Sequence, residues 1–406
     1  MNKKVLSVYK NSPRIINFLI VTLLVGLAHG LYKGVQDNYL AELVNINEFE
    51  RGIVEFFREL PGLLLIFILA TMYRFSETKV FKLGTAITLM GTLGLFAFGT
   101  GKIVVVIFVV IYSLGEHIVL PVKSSISMNL AKSGKSGASL GIMNALSQAG
   151  NIGGYVIVAL LFLIFPFLGI PKNSVVAYKV VFILASLLLV AGTIVAFTMK
   201  DEGISVKRSR LYFSRKFGKY YGLEMFYGAR KQVFFTFGPY VLILYYGANT
   251  FVISLLLAVS AIFGVIFSPL IGRLIDYLGY KFIMVVDTLI LVIVCFFYGF
   301  SHHIFTHEVA FIVVCINYVL DSIISLCSIA SSVYVQDITS DQQEIAATLT
   351  TGVSVNHFIS VIIALLGGYI WKITGIEMLF TLSAILGIIN SLFAASIKVP
   401  QRKTSN

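Results

Sequence analysis

The hydrophobic positions of the chain form a series of long apolar runs, which short polar stretches separate. A helix needs about 20 mostly apolar residues to cross a bilayer. Inside a bilayer the backbone polar groups must be satisfied within the segment, which favours helices over strands. The pattern predicts twelve transmembrane helices, at about residues 14–42, 49–75, 80–100, 102–131, 137–168, 174–199, 218–247, 250–276, 281–300, 307–337, 342–372 and 374–397.

One long polar stretch, residues 200–217, divides these helices into two groups of six. We therefore expect an N-terminal six-helix bundle over residues 1–199 and a C-terminal six-helix bundle over residues 218–406. The stretch between them is rich in lysine and arginine, and we interpret it as a cytoplasmic linker.

The two halves of the sequence resemble each other. GRLIDYLGYK (272–281) follows the second helix of the second half, and ATMYRFSETK (70–79) occupies the equivalent place in the first half, 202 residues earlier. A later match sets Glu116 against Asp321. The shared order and the near-constant offset indicate an internal duplication, which many transporters have. The predicted fold is an all-α membrane protein of two pseudo-repeated six-helix bundles.

Composition supports a membrane protein, because 58% of the residues are hydrophobic and only 12% are charged. Soluble domains carry roughly 25% charged residues. The net charge of +12 would suggest nucleic acid in a soluble protein, but here 21 of the 31 lysines and arginines fall on one predicted side and five on the other. The positive-inside rule then predicts a multi-pass protein of the cytoplasmic (inner) membrane with both termini in the cytoplasm. We expect no nucleic-acid partner.

The sequence contains no pattern typical of an enzyme or a metal site. Cys295, Cys315 and Cys327 lie inside apolar runs, without a CxxC or other metal-ligand spacing. The few histidines suggest no nucleophile–base arrangement, and there is no nucleotide-binding G-x-x-x-x-G-K-[ST] loop. We therefore predict no catalytic residues, no cofactor and no metal, and expect any transport to draw on an ion or solute gradient.

The loop from Gly272 to Lys281 resembles the signature loop of the major facilitator superfamily, which lies between the second and third helices of each half. The resemblance implies two bundles around a central cavity lined by the first, fourth, seventh and tenth helices. It also implies alternating access by a rocking motion of the bundles. It assigns a gating role to Gly272, Arg273, Asp276, Gly279 and Lys281.

The first half departs from this signature. Ala70 replaces the first glycine, Arg74 the aspartate and Glu77 the second glycine. The first half therefore lacks three of the residues to which the resemblance assigns the gating role. The predicted fifth helix contains GIMNALSQAGNIGGY (141–155), which is similar to the glycine-rich antiporter motif of the family except that Tyr155 stands in place of a proline. This run favours either export or close helix packing by small residues, and packing is the simpler interpretation.

Ionisable residues at membrane depth are costly, so each is a candidate for function. Glu116 and Asp321, at matching positions of the fourth and tenth helices, are the predicted proton-coupling pair. Each candidate also has a structural interpretation, as an ion pair or an interhelical hydrogen bond. Five embedded cations, Lys33, Arg58, Lys123, Arg230 and Lys231, favour an anionic or zwitterionic substrate. The predicted substrate-binding residues are His29, Lys33, Arg58, Gln148, Arg230, Lys231, Asn317 and His357.

The sequence therefore predicts a monomeric secondary active transporter that moves a small organic solute across the membrane, coupled to protons or another ion. Two alternatives stay open. One is a multidrug exporter: the 33 phenylalanines and 20 tyrosines permit an aromatic cavity, but the embedded cations oppose a lipophilic cation as substrate. The other is a non-transporting receptor on a transporter fold, which we would expect to carry a soluble signalling extension.

Overall fold

The structure of the protein is a computed structural model that describes residues 7–10, 12, 14–72, 74–201, 213–339 and 341–399. Within those residues it is almost entirely helical, and an isolated bridge between Tyr9 and Ala131 is the only pairing of extended backbone. The prediction of an all-α fold is confirmed. Most of the predicted basic linker, residues 202–212, lies outside the described residues.

Thirteen helices are present in the described part of the chain. Those of the first half are α1 Arg14–Asn38, α2 Glu48–Leu63, α3 Leu65–Thr71, α4 Glu77–Phe98, α5 Lys102–Leu130, α6 Ser136–Ile164 and α7 Val175–Thr198. Those of the second half are α8 Gly218–Tyr240, α9 Thr250–Leu278, α10 Tyr280–Ile304, α11 His307–Ser325, α12 Ile329–Ile338 and α13 Gln342–Ala395.

The first helix of each half ends in the same unusual way. A π-helical turn follows α1 at Tyr39–Leu43, and another follows α8 at Val241–Tyr245. The two turns begin 202 residues apart, which is the offset found between the two signature-like loops. Because π-turns are rare, their matching positions support the internal duplication.

Nine helical segments among the described residues are long and apolar enough to cross a membrane. The last of them, Ala347–Ala395, has 49 residues and would extend about 73 Å, more than twice the hydrocarbon thickness of a bilayer. The backbone at Gly375 has a φ of +87°, and this divides α13 into two arms. The break lies close to the predicted junction between helices 342–372 and 374–397.

The predicted helix 49–75 is interrupted, so the prediction of one continuous helix there was wrong. The structure has α2 and α3 instead, separated at Leu64, whose φ and ψ are −86° and 0°. Pro61 lacks an N–H group and crowds the preceding turn, and Gly62 favours the helix weakly. The helix is therefore weakest just before the point where it breaks.

The segments α2 and α8 are helical but are absent from the nine, because α2 has only 16 residues and α8 contains more charge than an apolar span. The charged residues of α8 are Lys219, Glu224, Arg230 and Lys231, and α2 has six, among them Arg51, Glu55, Arg58 and Glu59. The presence of helices at the predicted positions is therefore established for the described chain, whereas the count of twelve crossings stays a prediction.

The chain forms two compact units. Within the described residues the first unit comprises 7–46, 57–201 and 248–261, and the second comprises 47–56, 213–247 and 262–399. This grouping differs from the predicted bundles, 1–199 and 218–406, by two short segments. The beginning of α2 groups with the second unit, and the beginning of α9 groups with the first.

The first unit packs α1 against α6 through small residues. A Cβ atom added to Gly26 would lie 2.7 Å from the Ser147 carbonyl oxygen, and one added to Gly150 would lie 2.7 Å from the Leu27 backbone nitrogen. Only glycine permits helices to approach this closely. These contacts account for part of the glycine-rich run 141–155. Gly141 is different, because a Cβ there would meet nothing within 4 Å.

Candidate functional site

A cavity of about 490 Å³ lies within the first unit, between α1, α4, α5 and α6. Four of its lining residues were singled out from the sequence, namely His29, Glu116, Lys123 and Gln148. The lining therefore carries an acid, a base and an amide. Such a mixture of charge and polarity is typical of a site for a small polar ligand.

The acid and the imidazole in this cavity form a pair between α1 and α5. His29 Nδ1 lies 2.9 Å from Glu116 Oε1 and 3.0 Å from the Tyr112 hydroxyl. The ring of Tyr32 stacks on that of Tyr112 at a centroid distance of 3.8 Å. Because Nδ1 carries one proton or one lone pair, it bonds well to only one of the two oxygens at a time. The Glu116 carboxylate and the Tyr112 hydroxyl therefore compete for the same nitrogen atom.

Lys123 also faces the first cavity. Its Nζ donates a weak hydrogen bond to Ser147 Oγ at 3.4 Å, and it forms no ion pair with any residue that the structure describes. Gln148 is on the same wall, and its Oε1 accepts a hydrogen bond from Asn151 Nδ2 at 2.8 Å. These side chains can offer a cationic group and an amide to a ligand.

Two other predicted residues of the first unit lie outside this lining. Arg58 is buried and forms an ion pair with the neighbouring Glu59, while the Arg58 carbonyl accepts a hydrogen bond from Ser113 Oγ at 2.6 Å. Lys33 is half-buried and does not line the cavity. For Arg58, the structural interpretation is an ion pair within α2, while its carbonyl joins α2 to α5 through the hydrogen bond from Ser113.

A second cavity, of about 280 Å³, lies within the second unit between α8 and the segments α11 to α13. Arg230 and Lys231 both line it, together with Glu224, Tyr227, Ser331 and Asn356. Lys231 is exposed, and among the described residues it has no ion-pair partner. Like Lys123, it can present its charge to a ligand.

Arg230 is compensated by two carboxylates. Its Nη1 lies 3.1 Å from Asp287 Oδ2, and its Nη2 lies 3.4 Å from Asp321 Oδ1. All three side chains are at most 14% exposed. A buried cation is costly unless it is paired, and here one guanidinium faces two carboxyl groups. When both carboxyls are ionised, the cluster has one excess negative charge.

Asp287 is the principal site residue that sequence reasoning missed. It is the one acidic residue in the apolar helix α10, and an isolated carboxylate at membrane depth is itself a signal of function. Glu224 is another residue of the lining that was not among the predicted site residues. It accepts hydrogen bonds from Ser331 Oγ at 2.8 Å and Asn356 Nδ2 at 3.4 Å.

Three further predicted residues do not line the second cavity. Asn317 Nδ2 donates to the Val313 carbonyl, one turn earlier in α11, at 2.8 Å. His357 is half-buried, and Asp321 is connected to the site through its ion pair with Arg230. From the same part of the chain, Ser325 at the end of α11 and Ser328 just after it contribute to the lining, whereas Asn317 does not.

The loop from Gly272 to Lys281 forms a tight junction between α9 and α10. Gly279 has a φ of +84°, a conformation that favours glycine. Arg273 and Asp276 are exposed, and Asp276 makes no hydrogen bond or ion pair within the described chain. In the first unit, Glu77 stands where the signature has its second glycine. Its carboxylate accepts hydrogen bonds from Asn129 Nδ2 at 2.7 Å and from Ser125 Oγ.

The two units repeat one arrangement. His29 on α1 pairs with Glu116 on α5, and Arg230 on α8 pairs with Asp321 on α11. The bases are 201 residues apart and the acids 205 residues apart, close to the offset of the repeated loops. Each unit therefore links its first long helix to a later helix through a base and an acid.

Comparisons with known proteins agree with this architecture. Residues 220–406 match the family model of the Major Facilitator Superfamily. No protein in the curated set matches the chain in sequence. Among solved structures, the nucleoside transporter NupG has a TM-score of 0.74 and 14% identity, with 94% of this chain and 99% of that chain covered.

Two further solved structures have similar agreement. A POT family transporter in complex with 5-aminolevulinic acid has a TM-score of 0.76 and 12% identity, covering 96% of this chain and 98% of that chain. A D-xylose-proton symporter has a TM-score of 0.71 and 14% identity, with 96% and 98% covered. At this identity the likeness concerns the fold, and it extends over both halves. Residues 220–406 thus resemble the Major Facilitator Superfamily in sequence, and the chain is a multi-pass membrane protein whose fold is similar to that of these solved transporters.

Proposed function

We propose that the protein is a secondary active transporter that moves a small zwitterionic or anionic organic solute across the cytoplasmic membrane by alternating access. The observation that carries this proposal is the charge in the two cavities. Each cavity has a lysine without an ion-pair partner among the described residues, Lys123 or Lys231, and a glutamate, Glu116 or Glu224. A lysine can bind a carboxylate or phosphate of the solute, and a glutamate can bind its ammonium group.

The proposed energy source is a proton gradient. Glu116 beside His29, and Asp321 beside Arg230, are acids that can be neutralised either by their basic partner or by a proton. Arg230 has a second carboxylate, Asp287, so a proton on Asp321 leaves the guanidinium still paired. This supports Asp321 as a group that takes up and releases a proton without exposing an unpaired buried charge.

The substrate proposal is tested first by binding. A panel of amino acids, short peptides, carboxylates and sugars is screened by thermal shift on the purified protein, since a ligand specific to the folded state raises the melting temperature. We expect the strongest shifts from compounds with a carboxylate. Lys123→Gln and Lys231→Gln should each weaken binding roughly ten- to a hundredfold, since a hydrogen bond to a charged group contributes about 1.5 to 3 kcal/mol.

The matched control is Lys135→Gln, an exposed lysine of the first unit that lies outside both cavity linings. It should bind the same compound as tightly as the natural protein. The substrate proposal is wrong if both cavity variants bind normally, or if a lipophilic cation gives the strongest shift.

A further inference from the structure

The end of α10 and the second arm of α13 bring three metal-ligating side chains together. His302 Nε2 and His303 Nε2 lie 3.0 Å and 3.1 Å from the same atom, Glu377 Oε1. The three potential ligand atoms lie within 4.8 Å of one another. The sequence predicted no metal site, because the glutamate is 74 residues away from His303 along the chain.

The spacing of these atoms suits a small tetrahedral ion. Zinc binds histidine nitrogen and carboxylate oxygen at about 2.0 to 2.2 Å, which places neighbouring ligands of a tetrahedron about 3.3 to 3.5 Å apart. The two nitrogen-to-oxygen distances are a few tenths of an ångström shorter than that. A small outward rotation of the side chains would therefore accommodate the ion between them.

The surroundings of the cluster bury the His302 side chain and leave the His303 side chain exposed to solvent. The ring of Tyr245 packs against that of His302 at a centroid distance of 4.7 Å, and the His302 side chain is only 11% exposed. His303 is 58% exposed, and Glu377 is 34% exposed. Water can therefore reach the cluster and supply the fourth ligand, as in zinc sites that keep an open position.

We propose that His302, His303 and Glu377 bind a divalent transition-metal ion of the zinc class. The ion would tie the end of α10 to the second arm of α13, just after the break at Gly375. Imidazole with carboxylate is a ligand set suited to zinc and its neighbours. This site is separate from the two cavities, so the test of metal binding does not depend on the proposed transport function.

The proposal is tested by metal binding to the purified full-length protein, after removal of any histidine tag. Zn²⁺ is titrated in competition with a chromogenic chelator, and Co²⁺ binding is followed by its visible absorption. We expect one specific site per chain in the natural protein. His303→Ala should lower the affinity at least tenfold and abolish the rise in melting temperature that Zn²⁺ produces.

The matched control is His307→Ala, which removes an exposed histidine of α11 that lies outside the cluster. It should bind Zn²⁺ as the natural protein does. Glu377→Gln keeps an oxygen that accepts hydrogen bonds but removes the charge, so it should also lose zinc affinity. A purely hydrogen-bonded cluster is indicated, and the proposal overturned, if His303→Ala and Glu377→Gln bind Zn²⁺ normally. An equal effect of Mg²⁺, which prefers oxygen ligands, would overturn it as well.

Discussion

At the residue scale, the cations embedded in the apolar runs differ in how much of their charge remains available. Arg230 is bonded to two carboxylates and Arg58 to one. Lys123 and Lys231 face cavities with no ion-pair partner among the described residues. We therefore expect the lysines to contact the solute and the arginines to hold the acids in place.

The proton-coupling proposal predicts how two variants behave. In Glu116→Gln and Asp321→Asn the acid can no longer exchange a proton, so proton-driven accumulation should be abolished in proteoliposomes with an imposed pH gradient. Exchange of labelled for unlabelled solute should persist, because that process needs no net proton movement. Asp321→Asn should fold, since Arg230 keeps its bond to Asp287.

Glu308→Gln serves as the control, because Glu308 is an exposed acid in the first turn of α11. It should accumulate solute normally. Full proton-driven uptake in both acid variants would contradict the coupling role. A parallel loss of accumulation, exchange and thermal stability would instead indicate that the acids only balance neighbouring bases.

Part of the site can be predicted from the amino-acid sequence. Charged residues within apolar runs are easily recognised along the sequence, and this pattern alone identifies Glu116, Arg230 and Asp321 as candidates. It does not pair them with their partners, since His29 and Glu116 are 87 residues apart and Arg230 and Asp287 are 57 apart. Which charge neutralises which depends on helix packing, and packing is not visible in a hydropathy pattern.

At the scale of the helices, the hydropathy pattern predicted where the helices lie better than it predicted where a helix is interrupted. Most predicted helices have a counterpart within a few residues, because runs of apolar residues at this length have little alternative to a helix. The break at Leu64 was missed, although Pro61 and Gly62 precede it. Proline within a membrane helix is often tolerated, so its presence alone did not predict an interruption.

Helix packing predicts different effects on the melting temperature when two glycines of α6 are replaced by alanine. Gly150→Ala would place a methyl group 2.7 Å from the Leu27 backbone nitrogen, so α1 and α6 must separate and the melting temperature in detergent should fall. Gly141→Ala meets nothing within 4 Å. Its better helix propensity, by about 1 kcal/mol at most, should leave the melting temperature unchanged or raised.

Each of these two variants is the other's control, because both add one methyl group to the same helix. Equal falls in melting temperature would show that the close approach of α1 to α6 does not limit stability. The packing explanation of the glycine-rich run would then lose its support, and the export interpretation of that motif would deserve a direct transport assay.

At the scale of the whole molecule, the charge bias predicts the orientation in the membrane. Reporter fusions after Asn406 and near Arg210, both outside the described residues, should report the cytoplasm, because basic flanks stay inside. Fusions near Lys172 and His303 should report the opposite side. A periplasmic signal near Arg210 would overturn both the orientation and the assignment of the basic linker.

The shortness of α2 and the charges of α8 have one more consequence, which concerns whether the number of crossings is odd or even. An odd number of crossings puts the two ends of a chain on opposite sides of a membrane, and an even number puts them on the same side. A count of long apolar helices omits α2, which has only 16 residues, and α8, whose charges lower its mean hydropathy, and it reads the two arms of α13 as one. The count of nine that results for the described chain would place the C-terminus on the wrong side if twelve segments cross. In α8, the charged residues that line a cavity thus also hide the helix from a count based on hydropathy.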